Sequence, residues 1–161
     1  MQSRDPDRVL ANTLIPAERR DVAAALIALH DRSVDSLKGF AMMVEKAEPS
    51  FRETAERFRA LHARHAETLA RLLSDLGIRA EEKGGVMGLV NQAVVTFRVF
   101  FDDIDEDVMD QVRSGEDWVL QAFDAAIAEQ REATPALRQM QAELTDLLAE
   151  TCDPGLPHPI V

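Results

Sequence analysis

The sequence contains no tyrosine, one tryptophan and one cysteine; the scarcity of aromatics disfavours sheets, and that of cysteine removes a class of function. A single thiol, Cys152, cannot close a disulfide within the chain and cannot build a thiolate metal cluster on its own. With no histidine partner evident, it is not expected to act as a nucleophile either. Basic residues are outnumbered, 18 Lys and Arg against 29 Asp and Glu, for a formal net charge of -11. Such a chain is repelled by phosphate backbones and anionic lipid, so neither a nucleic acid nor a membrane is expected as a partner. Long hydrophobic runs are missing too. The most apolar stretch, VMGLVNQAVVTFRVFF from Val86 to Phe101, contains Asn91, Gln92 and Arg98 and falls short of the ~20 apolar residues that a spanning helix needs. The opening residues, MQSRDPDRVLANTLIP, lack the apolar core and cleavage site of a secretory signal. A cytoplasmic location is therefore the expectation.

What remains abundant is Ala, Leu, Glu and Arg, the composition of packed helices. At 161 residues and 46% hydrophobic content, one domain with one core is expected. Breakers divide the chain into five helices, four long and one short and apolar. The first runs from about Pro16 to Ala47, with proline in its first turn. The second runs from Ser50 to Gly77, where SFRE is a capping box with Ser50 as N-cap. The third is Val86 to Phe101, the fourth about Asp105 to Gln130, and the fifth opens with Thr134 as N-cap before Pro135 and runs to about Thr151. Residues 1–15 form a flexible lead, 16–151 the bundle, and 152–161 an irregular tail. No stretch has strand periodicity.

Stepping about 100° per residue gives each helix a core-facing stripe. These stripes are Val22, Leu26, Leu29, Ser33, Leu37, Phe40, Val44 and Ala47; then Phe51, Ala55, Phe58, Leu61, His65, Leu69, Leu72 and Leu76; then Val112, Glu116, Val119, Phe123 and Ile127; and finally Leu137, Met140, Leu144 and Leu148. Ser33, His65 and Glu116 interrupt them, with His62 at a stripe edge. A polar group on a core stripe is costly without a partner, so these residues are candidates for one shared site. Gln141, about 60° from its stripe centre, is a further candidate.

The segment FRETAERFRALHARHAETLARLLSDLG resembles the second helix of ferritin-like and rubrerythrin-like bundles, whose signature there is Glu-x-x-His-Ala before a leucine-rich run. GEDWVLQAF resembles their carboxylate-bearing helix. The order DSLKGF, ARHAETL, SGEDWVLQAFDAAI is similar to an uncharacterised bacterial ferritin-like four-helix-bundle family, a domain of unknown function, over about Val22 to Thr151. The resemblance implies an all-α, ferritin-like up-down bundle and, at its centre, a Glu from each of two helices and a Glu-x-x-His from each of the other two. Carried over, the second-helix histidine is His65, but His62 stands where glutamate should. The first-helix glutamate falls on Ser33, Glu116 fits, and the last-helix pair falls near Gln141 and Leu144. Asp31 and Asp35 look like substitutes for the first carboxylate, yet Asp35 projects about 160° from its stripe, toward solvent.

That set does not suit a di-iron oxidase. It leaves one candidate metal site, His62, His65 and Glu116, for a single iron or zinc ion, as the one cofactor to consider. The competing account makes His65 a neutral core histidine bonded to Glu116, with His62 at the boundary and partly in water. Glu116 is then paired with His65 or with an arginine such as Arg64, and Ser33 is a small residue that lets helices approach. No catalytic residue is expected. His30 and His158 belong to no constellation and are expected at the surface or in the tail, and DDIDED lacks the glycine and closing glutamate of a calcium loop. A second apolar line on the first helix (Ala23, Ile27, Val34, Ala41) and the outward Trp118 call for cover, by the apolar third helix on one face and by a second subunit on the other, with a homodimer as the expectation. Two functions follow. The expected one is a non-enzymatic bundle with a degenerate metal site, serving as a structural or partner-binding module. Its alternative is an iron- or zinc-binding ferritin-like protein tied to iron handling or oxidative stress.

Overall fold

The computed structural model describes residues 17–80, 108–130 and 133–152. The expected N-terminal lead, the Val86–Phe101 helix, the DDIDED stretch, His158 and the C-terminal tail after Cys152 lie outside them. The described residues form four helices: α1 (Ala17–Lys46), α2 (Pro49–Asp75), α3 (Met109–Glu129) and α4 (Thr134–Cys152). No strand occurs among them.

Local chemistry explains most of the helix ends. Pro49 sits in the first turn of α2, which pushes Glu48 into the extended conformation (φ -54°, ψ 150°) and makes it the N-cap. Ser50 is therefore inside the helix and the expected capping box does not form. The first-turn amides of Phe51 and Arg52 share the Glu48 carbonyl instead, at 3.0 Å each. At the other end Gly77 takes φ 77°. The Ile78 amide then reaches the Leu73 carbonyl at 2.9 Å and the Gly77 amide reaches Ser74 at 2.8 Å, a Schellman closure that needs a left-handed residue. Thr134 does not cap α4. It is the first residue of the helix, and its hydroxyl donates backward to the Gln130 carbonyl.

Cross-helix pairs set the topology. Two residues, Ala47 and Glu48, separate α1 from α2, which makes them antiparallel neighbours. A short connection joins α3 and α4 likewise. Between α2 and α4, Arg57 pairs with Glu150 and Arg64 with Glu143; advancing seven residues on one helix retreats seven on the other, so these two also run antiparallel. Between α2 and α3, His62 meets Glu116 and His65 meets Phe123, so these two run the same way. The helices form a ring in which α1 packs on α2 and α3, and α4 packs on α3 and α2. The order along the chain is up, down, down, up. Residues 81–107 thus connect opposite ends of the bundle.

The core centres on Leu26, Leu29, Phe58, Leu69, Phe123, Leu137 and Leu144, with Phe40 stacked on Phe58 at 4.8 Å and 8°. The expected stripes hold along most of their length. At the end of α2 the buried position is Leu73, with Leu72 half-buried and Leu76 42% exposed. The helix period carries the buried row from Leu69 to Leu73, and Leu76 is already the C-cap.

Candidate functional site

Four polar residues are buried in the apolar interior: Ser33, His62, His65 and Glu116. All were expected to meet there, but they are partnered differently. Ser33 spends its hydroxyl within its own helix, donating to the Leu29 carbonyl at 3.0 Å. It contributes nothing to the charged groups.

His62 is fully buried rather than at the boundary, its ring stacked over Phe40 at 5.7 Å and 12°. Its Nε2 lies 3.0 Å from Oε2 of Glu116, so it is His62, not His65, that faces this carboxylate. The separation suits a hydrogen bond but the alignment does not. Both ring nitrogens of His62 and Oε2 of Glu116 are left without a hydrogen-bonding partner. His62 was assigned to the stripe edge because it lies about 60° from His65 on the wheel; with α1 packed on one side and α3 across the ring, that edge is interior too.

His65 turns to α4. Its Nε2 is 3.1 Å from Oε2 of Glu143, and its ring stands edge-on to Phe123 at 5.9 Å. Burial holds its pKa below the ordinary value, and the bond to Glu143 only partly offsets this. Burial pushes Glu143 the other way, but its hydrogen bonds to His65 and Gln139, with the charges of His65 and Arg64, together outweigh burial and lower its pKa. The consistent state at neutral pH is a neutral imidazole donating Nε2–H to an ionised carboxylate. In that tautomer Nδ1 is an acceptor, and it is buried without a partner. Arg64, considered as a partner for Glu116, lies 3.8 Å from Glu143 instead.

Glu143 was not among the expected residues. It sits beside the stripe Met140, Leu144 and Leu148, but Leu147 is buried as well. The buried face of α4 is therefore one row wider, and Glu143 borders that row at about 40°. Gln141 and Leu144 do not join the site. Gln141 donates from the surface to Asp124 of α3 at 2.7 Å, and Leu144 is apolar core. Asp35 is half-buried rather than solvated, and burial raises its pKa, with Lys38 opposing. His30 is also half-buried, 3.5 Å from Asp31.

The two imidazoles stand 6.3 Å apart, edge to face. Each is directed to its own carboxylate on a different helix. Among the described residues no three His, Cys, Asp or Glu side chains are grouped as a shared metal ion requires. The described donors do not fit the di-iron centre that the ferritin-like resemblance implies, since none of the described carboxylates is grouped with both histidines. No helix among the described residues is long and apolar enough to cross a membrane.

Residues 21–129 match the profile of the domain of unknown function DUF2383, and because this covers more than half of the chain, the protein belongs to that family. No curated protein and no solved structure matches it. The matched span holds nearly all of α1, with α2 and α3, and so includes His62, His65 and Glu116. Glu143, on α4, lies beyond it.

Proposed function

We propose that this chain is a non-enzymatic helical bundle, a structural or partner-binding module in which the buried histidines are the remnant of a ferritin-like metal site. The observation that carries this is the separation of the histidines into two pairs, His62 with Glu116 and His65 with Glu143. Two one-to-one pairs orient side chains across the ring; they do not assemble a nucleophile, base and orienting acid around a common point. Parallel α2 and α3 joined by a long connection also agree with the single crossover of ferritin-like bundles. Elemental analysis of protein grown with iron, zinc and manganese tests the proposal. The expected result is far less than one equivalent of each, and a stoichiometric metal lost in His65→Ala would overturn it.

A second reading is kept by one observation. His62 Nδ1 and Nε2, His65 Nδ1 and Glu116 Oε2 are buried without hydrogen-bond partners, and each such group costs about 1–3 kcal/mol. One iron or zinc ion held by His62, His65 and Glu116 would relieve part of that cost after a rotation of the side chains. It predicts that added metal raises the melting temperature in a dose-dependent way. The first reading predicts no shift.

A further inference from the structure

We draw no further inference here: the strongest candidate, the surface patch around Trp118 of α3, 58% exposed with the Arg32 guanidinium of α1 over its ring at 5.3 Å, carries nothing, because nothing among the described residues shows what covers it.

Discussion

Glu143 of α4 accepts the Nε2–H of His65 of α2 at 3.1 Å from the edge of the bundle, and thereby ties a buried imidazole to a half-exposed carboxylate. Both groups have folded pKa values below their ordinary ones. For His65 the unfolded chain binds the proton more readily than the fold does, so its contribution is complete above its ordinary value near 6.5 and is lost as pH falls from there toward the folded value. Glu143 acts with the same sign at lower pH, below about 4.3. Asp35 opposes them, since its raised pKa favours the fold in acid. Urea denaturation should show stability declining from pH 7.5 to pH 5, with a smaller slope in His65→Gln. A midpoint that stays level over that range in the parent chain would contradict the assignment.

The buried pair His62 and Glu116 should behave asymmetrically under mutation. Glu116→Ala leaves a buried imidazole facing a void and is expected to cost about 3–5 kcal/mol, whereas His62→Leu with Glu116→Met removes both polar groups and should be near neutral or stabilising. Chemical denaturation of the parent, His62→Leu, Glu116→Met and the double variant closes a double-mutant cycle that reads the coupling, with Glu116→Ala measured beside it. If the double variant were as unstable as the single one, the pair would be contributing packing rather than the mutual shielding of two buried polar groups.

Phe58 is fully buried and stacked on Phe40. Phe58→Ala should cost about 3–5 kcal/mol, measured as a lower denaturation midpoint with an unchanged slope. Phe58, like Leu26, Leu69, Phe123 and Leu144, was legible from helical periodicity alone, because burial of one face depends only on angle about a single axis. Partnership between helices depends on register and on which helices are neighbours, and a single wheel holds neither. That is why His62 and His65 could be named from the sequence while their carboxylates were misassigned. Glu143 escaped for a related reason: the buried face of α4 is widened by Leu147, and its border depends on how closely α2 approaches.

At the end of α2, Gly77 has φ 77° and a Cβ built there would meet nothing within 4 Å. Gly77→Ala should therefore lose about 1–2 kcal/mol from left-handed strain alone, without steric cost. Gly77→Asn, which tolerates that conformation better, should recover part of it. Thermal melts of the two variants side by side separate backbone strain from packing, since a packing defect would make the larger asparagine the worse of the two.

The α2 and α4 register makes a prediction about topology rather than energy. Arg57 and Glu150 are both about half exposed, so their pair is worth only about 0.2–1 kcal/mol. Arg57→Glu should cost a similar small amount through repulsion with Glu150, and adding Glu150→Arg should restore it. The restoration should fade as salt is raised from low ionic strength to about 1 M, where the Debye length falls to about 3 Å. Charge reversal is the sharper test here because its sign depends on which residues face each other. If Glu150→Arg failed to rescue Arg57→Glu at low salt, these two positions would not be opposed, and the antiparallel setting of α4 on α2 that brings Glu143 to His65 would have to be redrawn.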